Sequence, residues 1–162
     1  MTIVIRRMQP EDIDQVMVIE EQVVEFPWTH SIFSDCIKVG YSCWVIVDTD
    51  TVIDKNKEVP EILGYALLSM AAEEAHVLNI CIKPERQGQG LGKSLMQHLI
   101  VQAKLLHAKL VYLEVRVSND IAYDLYIKLG FIVIGERKDY YPAKDGREDA
   151  LVLQLTLDTH RT

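Results

Sequence analysis

The fold of this chain is decided by one stretch, Asn79-Ile80-Cys81-Ile82-Lys83-Pro84-Glu85-Arg86-Gln87-Gly88-Gln89-Gly90-Leu91-Gly92-Lys93. Its first part is apolar and ends at Pro84, which is typical of a strand because proline cannot continue a central hydrogen-bond ladder. Three glycines follow at alternate positions, where they permit positive φ and a close approach of the backbone to a ligand. A helical spacing of apolar residues then begins at Leu91. The stretch therefore predicts a strand, a tight loop and a helix whose first N–H groups suit an anion such as phosphate.

The spacing of the glycines separates three phosphate-binding motifs. A P-loop requires a glycine where this chain has Gln87, and the dinucleotide-binding fingerprint requires one where it has Lys93. The remaining pattern, [RQ]-x-x-G-x-[GA], is matched by Gln87, Gly90 and Gly92. This pattern resembles the pyrophosphate-binding loop of the GNAT superfamily of acetyl-CoA-dependent N-acetyltransferases. The alternative interpretation is a glycine-rich turn that holds no ligand.

Composition indicates a globular protein with an acidic surface. The chain has 162 residues, of which 49% are hydrophobic and 25% charged, and this predicts a single domain over residues 1–162. The formal net charge of −7 disfavours direct nucleic-acid binding, because a protein that grips phosphates is normally basic. The same charge favours cationic partners such as amines or basic proteins.

Cysteine and histidine usage indicates neither a disulfide framework nor a metal site. There are three cysteines without a CxxC pair, and five histidines without an HExxH motif. The N-terminus has no apolar signal-like region, and no apolar run reaches about 18 residues. We therefore expect a cytoplasmic protein that binds no metal and no membrane.

The periodicity of apolar residues predicts the element order β-α-α-β-β-β-α-β-α-β-β. Strands are predicted at 2–6, 41–48, 62–72, 75–82, 110–117, 131–137 and 150–157, and helices at 10–25, 29–39, 90–107 and 119–129. A long, polar hairpin loop is predicted at 48–60 and a polar loop at 139–149. The helical crossover between the fourth and fifth strands makes that pair parallel. The prediction is an α+β (mixed α/β) fold of the GNAT type, with a mostly antiparallel seven-stranded sheet, one parallel pair and helices on both faces. The resemblance then covers nearly the whole chain.

Further motifs narrow the resemblance within the superfamily. They occur in one order along the chain and are similar to those of bacterial members that acetylate the N-terminal alanine of a small-subunit ribosomal protein. The set comprises Phe26-Pro27-Trp28, Leu113-Glu114-Val115-Arg116, Ser118-Asn119, Leu125-Tyr126, Leu129-Gly130-Phe131, Tyr140-Tyr141-Pro142 and Asp145-Gly146-Arg147-Glu148-Asp149-Ala150. The resemblance implies acetyl-CoA as co-substrate and a basic protein N-terminus, such as that of a ribosomal protein, as partner. The loop at 48–60 departs from this resemblance, because it is longer than the tight turn that the resemblance implies at this point of the chain.

Two residues are candidates for catalysis. Glu114 places a carboxylate within an apolar strand, where burial disfavours the charged form and suits a general base. The alternative is a purely structural carboxylate paired with Arg116 or His76. Tyr126 lies on the inward face of a predicted helix, where a tyrosine is usually a core residue with a satisfied hydroxyl. The resemblance implies that Glu114 accepts a proton from the amine and that Tyr126 donates one to the leaving thiolate.

The resemblance also implies the residues that bind acetyl-CoA. Backbone groups of Ile80, Cys81 and Ile82 would line the acetyl and pantetheine arm, with their N–H groups stabilising the oxyanion. The pyrophosphate would lie in a cradle of Gln87, Gly88, Gln89, Gly90, Leu91, Gly92 and Lys93, and Asn119 and Tyr126 would contact the cofactor. The simpler role for Asn119 is that of a helix N-cap. Cys81 is expected to be a small buried residue rather than a nucleophile.

Four aromatic residues are candidates for the wall that contacts the peptide: Phe26, Trp28, Tyr140 and Tyr141. The alternative for Phe26 and Trp28 is a hydrophobic plug between two helices. The acidic segment 145–149 is either a charged turn or an attraction for a basic N-terminus.

Two other functions stay open. One is a GNAT acetyltransferase that acts on a small amine or on a lysine side chain. The other is a non-catalytic acetyl-CoA-binding module, against which the joint presence of Glu114 and Tyr126 argues.

Overall fold

A computed structural model describes residues 1–157 of the chain. These described residues form seven strands, four α-helices and two short 3₁₀ turns, which lie at Pro10–Asp12 and Pro84–Arg86. The strands are β1 (Ile3–Arg7), β2 (Ser42–Asp54), β3 (Val59–Ala71), β4 (Glu74–Ile82), β5 (Leu110–Arg116), β6 (Ile132–Ala143) and β7 (Gly146–Thr156), and the helices are α1 (Ile13–Val23), α2 (His30–Lys38), α3 (Leu91–Leu105) and α4 (Asp120–Lys128).

The strands form one seven-stranded sheet in the order β1-β2-β3-β4-β5-β7-β6. β4 and β5 are parallel, whereas β1 with β2, β2 with β3, β5 with β7 and β6 with β7 are antiparallel. The predicted fold class, including its single parallel pair, is confirmed. α3 supplies the crossover that a parallel pair requires.

The predicted lengths of two connecting segments are wrong, because the strands on either side continue into them. β2 and β3 continue through the predicted loop at 48–60 and leave only residues 55–58 as a turn. β6 and β7 likewise continue through 139–149 and leave only residues 144 and 145 between them. Both segments are rich in polar side chains, but strand pairing is made by the backbone and does not need apolar residues on an exposed hairpin. A hydrophobic pattern therefore cannot reveal these strands.

The chain divides into two compact units, which are described separately. The first comprises Met1–Leu68 with Leu78–Leu99, and the second comprises Ser69–Val77 with the chain from Ile100 onward. In the first unit, Phe33 of α2 packs edge-on against Tyr65 of β3 with ring centroids 5.5 Å apart. Trp44 of β2 contacts His98 of α3 at 4.2 Å. Tyr65 pairs across the strands with Val45, the neighbour of Trp44, so α2 and α3 cover opposite faces of the sheet.

In the second unit, β5 has one buried and one partly exposed face. Val111, Leu113 and Val115 are buried, whereas the intervening side chains are only partly so. Since successive side chains of a strand point to opposite faces, Tyr112, Glu114 and Arg116 share the other face. Glu114 thus lies beside polar neighbours rather than within the apolar face of the strand.

In the first unit, β3 approaches β4 closely at Gly64. A Cβ at this position would lie 2.5 Å from the carbonyl oxygen of Cys81 and 2.6 Å from Cδ1 of Ile82. Because the backbone carbonyl cannot rotate away, we expect Gly64→Ala to lower the free energy of unfolding by about 1–3 kcal/mol. Denaturant titration measures this change.

Gly135 provides the matched control, since it also lies within a strand and a Cβ there meets no atom within 4 Å. We expect Gly135→Ala to leave stability unchanged or to raise it by up to about 1 kcal/mol. Equal destabilisation by the two substitutions would contradict the close approach at Gly64.

Candidate functional site

The glycine-rich loop joins β4 to α3 and lies at the surface of the first unit. Gly88 and Gly90 have φ of +79° and +80°, values that a side chain disfavours. A Cβ at either glycine would meet no atom within 4 Å, so the backbone faces open space. The first N–H groups of α3 lack partners within the helix by its geometry. Amides at a helix start suit an anionic group, and binding of a pyrophosphate in this cradle stays a prediction.

Side chains of the predicted cradle differ in their exposure. Leu91 is buried at the start of α3, so its side chain is not available to a ligand. The Gln87 side chain donates to the carbonyl oxygen of Ile82 at 3.0 Å, which fixes the loop to the end of β4. Gln89 and Lys93 are exposed. The contribution of this loop to binding would therefore be mainly through the backbone.

Cys81 is a buried residue of β4, as its strand context predicts. Its side chain is 8% exposed, and its Sγ donates to Oδ1 of Asn79 at 3.6 Å. Burial raises the pKa of Cys81 to about 12, so the thiol is protonated at neutral pH and is a poor nucleophile. Ile80 and Ile82, which flank it, are partly exposed.

Glu114 of the second unit is held by a histidine. Its Oε2 lies 2.6 Å from Nε2 of His76, and its Oε1 lies 3.7 Å from Nε of Arg137. The Glu114 side chain is only 6% exposed. Of the two partners predicted for a structural carboxylate, His76 is the one found, because Arg116 pairs instead with Glu148 at 3.1 Å.

Tyr140 and Tyr141 lie on β6, not in a loop, and contact each other edge-on at 4.9 Å. The guanidinium of Arg116 covers the Tyr141 ring at 4.4 Å, and that of Arg137 lies 5.6 Å from the Tyr140 ring. Burial and then the Glu114 carboxylate raise the pKa of both phenols, so both stay protonated at neutral pH. The structure therefore brings both predicted peptide-wall tyrosines into the surroundings of Glu114.

Tyr126 and Asn119 belong to α4. Tyr126 is buried, and its ring lies 5.9 Å from that of Phe131 in a tilted arrangement. Asn119 caps the helix, since its Oδ1 accepts from the N–H of Ala122 at 3.2 Å. The capping role predicted for Asn119 is confirmed. Contact of either side chain with a cofactor stays a prediction.

Phe26 and Trp28 have different environments. Phe26 is 46% exposed, whereas Trp28 packs against the core and its ring lies 5.2 Å from that of Phe33. Trp28 therefore fits the hydrophobic plug that was the alternative to a peptide contact. The side chain that remains available to a peptide on this segment is Phe26.

A buried carboxylate that the sequence did not single out fixes this segment. Glu20 of α1 is 1% exposed and accepts from the Tyr65 hydroxyl at 2.5 Å, from Nδ2 of Asn79 at 3.0 Å and from the N–H of Trp28 at 2.8 Å. Its position on the apolar face of the predicted first helix was the available signal, because a carboxylate there needs buried donors. Arg137 of β6 is a further site residue that the sequence did not assign, and its partner Glu114 lies on another strand, β5.

The described residues show two absences. Within residues 1–157, no group of three His, Cys, Asp or Glu side chains is placed to hold a metal ion. No helix in this part of the chain is long and apolar enough to cross a membrane.

Comparison with known proteins gives a family match. The sequence model of the acetyltransferase (GNAT) family matches residues 12–131. A Bacillus subtilis (strain 168) protein, provisionally named [ribosomal protein bS18]-alanine N-acetyltransferase, is 35% identical over 155 residues, which cover 95% of each chain.

Solved structures agree with this match. The crystal structure of the ribosomal-protein-S18-alanine N-acetyltransferase from Escherichia coli has a TM-score of 0.83 at 30% identity, and the match covers 96% of this chain and 94% of that one. Arabidopsis thaliana NAA60 in complex with acetyl-CoA has a TM-score of 0.84 at 17% identity, with 96% and 99% covered, and its likeness is one of fold alone.

We expect the cluster of Glu20 and its three donors, from Trp28, Tyr65 and Asn79, to contribute to stability. Glu20→Ala leaves three buried or partly buried donors without their acceptor, so we expect the free energy of unfolding to fall by about 3 kcal/mol. Denaturant titration of the purified variant measures the loss. Glu21→Ala, at the exposed next position, is the control and should stay within about 0.5 kcal/mol of the wild type. A loss at Glu20 no larger than that at Glu21 would show that the buried carboxylate contributes nothing.

Proposed function

The chain belongs to the acetyltransferase (GNAT) family, and on that premise we propose that it acetylates the N-terminal α-amine of a protein with acetyl-CoA as donor. The observation that carries the proposal is the 35% identity, over 95% of the chain, to a relative named for the alanine N-terminus of ribosomal protein bS18. The substrate is then a basic ribosomal protein of the small subunit that presents an N-terminal alanine, and the reaction belongs to the cytoplasm, where such proteins are made.

The domain proposed to carry this activity is the whole chain, residues 1–162. The family match spans 12–131, and the remaining described residues include β1 at the start and all of β6 and β7 at the end. Both ends contribute strands to the same sheet. Residues 158–162 of the proposed domain lie outside the described part.

The glycine-rich loop supports acetyl-CoA as the acetyl donor. Acetyl-CoA supplies an activated acetyl group as a thioester. Backbone amides between Gly88 and Lys93 would hold its pyrophosphate, since they lie at a helix start where Gly88 and Gly90 leave open space beside the backbone. Backbone groups of Ile80 to Ile82 would hold the acetyl end, and Asn119 would make a further contact.

Glu114 is the proposed proton acceptor and Tyr126 the proposed proton donor. An α-amine is largely cationic near neutral pH, because its ordinary pKa is about 7.7–8.0, and it must lose a proton before it can attack. Glu114 is nearly buried but anchored through one oxygen, which suits a general base that must keep a fixed position. Tyr126 would return a proton to the departing sulfur.

The exposure of the four candidate aromatic side chains indicates which of them a peptide could contact directly. Phe26 of the first unit and Tyr140 of the second are exposed and are the proposed peptide contacts, whereas Trp28 and Tyr141 are less exposed candidates for such contacts. The acidic segment contributes less charge than its sequence suggests. Glu148 is paired with Arg116 and Asp149 with Lys138. Attraction of a basic N-terminus would thus rest mainly on the overall acidic charge.

Mass spectrometry of peptides incubated with acetyl-CoA and the protein tests the proposed activity. One peptide begins Ala-Arg and carries an internal lysine, and a second is identical with a blocked N-terminus. We expect acetylation at the free N-terminus only. We expect Glu114→Gln to lower kcat/KM by about 10²–10⁴-fold, because it removes the proton acceptor.

Glu73→Gln is the control for this substitution, since Glu73 is 60% exposed and makes a surface ion pair with Lys109. It should leave kcat/KM unchanged. Acetylation of the internal lysine in the blocked peptide would instead favour a lysine or small-amine acetyltransferase. Binding of acetyl-CoA without turnover would favour the non-catalytic module.

Thermal denaturation tests the loop. We expect acetyl-CoA to raise the Tm of the wild-type protein, and Gly90→Ala to reduce that rise because its methyl group projects into the space the pyrophosphate would take. A tenfold weaker binding corresponds to about 1.4 kcal/mol less stabilisation at saturating ligand. Gly40→Ala is the control, because Gly40 has a similar φ of +85° and also faces open space. Protection by ATP but not by acetyl-CoA would contradict the assignment.

A further inference from the structure

The proposed reaction leaves one short contact of the second unit without a role. Nε2 of His76 lies 2.6 Å from Oε2 of Glu114. The imidazole stacks on the Tyr112 ring with centroids 4.2 Å apart and planes 9° from parallel. His76 and Tyr112 are paired residues of the parallel strands β4 and β5, so the backbone fixes the position of the imidazole.

This contact assigns different tasks to the two oxygens of Glu114. The two atoms are at hydrogen-bond distance, and an ionised carboxylate can only accept, so with Glu114 ionised the donor of this contact is Nε2–H. Oε1 has Arg137 as a partner at the longer distance of 3.7 Å, and the Arg137 side chain is 51% exposed. Oε1 is therefore the oxygen left to accept a proton.

We propose that His76 is a positioning residue for Glu114 and that only its neutral form supports full activity, an inference that rests on the proposed function. Neutral His76 holds Oε2 through Nε2–H and leaves Glu114 basic. When Nδ1 is also protonated, the cationic ring stabilises the carboxylate and makes it a weaker proton acceptor. In the reaction a substrate N–H bond breaks and an O–H bond forms at Oε1, whose proton passes to water after transfer. His76 keeps its Nε2 proton throughout.

The other charged and titratable groups around His76 do not titrate in the same range. Tyr112 of β5 and Tyr140 of β6 are phenols, and burial followed by the Glu114 carboxylate raises the pKa of each. Arg137 of β6 stays cationic. Glu74, two residues before His76 on β4, is an exposed carboxylate. A positive charge gained by the His76 ring as the pH falls would lower the activity, since it makes Glu114 a weaker proton acceptor.

The test compares pH profiles of kcat/KM for the peptide with a free N-terminus, measured between about pH 5.5 and 8.5. The amine of the peptide titrates identically for every variant, so the ratio of variant to wild type isolates the protein. His76→Gln keeps an N–H donor but cannot become cationic. We expect its ratio to the wild type to rise about tenfold as the pH falls through the range in which histidines titrate.

Two further variants define the control and the positioning role. His107→Gln removes an exposed histidine, and its ratio should stay flat and near one. His76→Ala also removes the donor, and we expect it to lower kcat at every pH by more than His76→Gln does. A flat ratio for His76→Gln with an active wild type would overturn this inference alone. Absence of any acetylation by the wild type would overturn the proposed function and this inference with it.

A measurement on the wild-type protein avoids dependence on the folding of variants. Nitrogen-15 NMR of the imidazole identifies which ring nitrogen carries the proton. We expect His76 to be the Nε2–H tautomer above its titration, with the carboxylate of Glu114 as acceptor. The Nδ1–H tautomer would overturn the inference, because Nε2 could not then donate to Oε2.

Discussion

A single buried carboxylate constrains much of the first unit. Glu20 accepts hydrogen bonds from a loop amide, from a side chain of β3 and from a side chain of β4. A carboxylate this buried is tolerated only when donors surround it, so the three donors must hold fixed positions relative to one another. The segment that carries Phe26 and Trp28 is thereby tied to the two strands beside it. Cys81 lies two residues after Asn79 on β4. Gly64 of β3 lies close to the backbone carbonyl of Cys81.

Glu20 and Glu114 are both largely buried glutamates, but their hydrogen-bond partners differ and suit them to different roles. Glu20 has both oxygens engaged by short hydrogen bonds from three donors, two of them from uncharged side chains and one from the backbone. Glu114 has one short partner, which is a histidine, and a longer contact to an arginine that is half exposed. A carboxylate whose two oxygens both accept hydrogen bonds is suited to a structural role, because a proton added to it would compete with those bonds. A carboxylate with one oxygen held and the other less engaged keeps its position and can still accept a proton.

Local patterns predicted the elements and the loop, but not the long-range polar contacts. The strand, glycines and helix around Gly90 were evident because each depends on neighbouring residues, and the parallel β4–β5 pair followed from the crossover helix. The Glu20 cluster joins residues 45 and 59 positions apart, and no local pattern reports such a pairing. The hairpin loop at 48–60 was predicted too long and the strand residues within 139–149 were missed, because these ladders use backbone groups while their side chains are polar. His76 was foreseen as one of two partners of Glu114, and the distances of the folded chain select it.

The hairpin of β6 and β7 explains how a polar segment can form an ordered wall. Arg116 covers Tyr141 and bonds the carbonyl oxygen of Pro142, while Glu148 receives both Arg116 and the N–H of Ser118. These contacts use charged groups to fix aromatic rings, since a cation over a ring face and a paired carboxylate both restrict rotation. Ordering the rings before a peptide arrives reduces the entropy lost on binding. Glu148 and Asp149 are therefore already paired with basic side chains, and in the proposed function the attraction of a basic N-terminus would rest on the remaining negative charge of the chain.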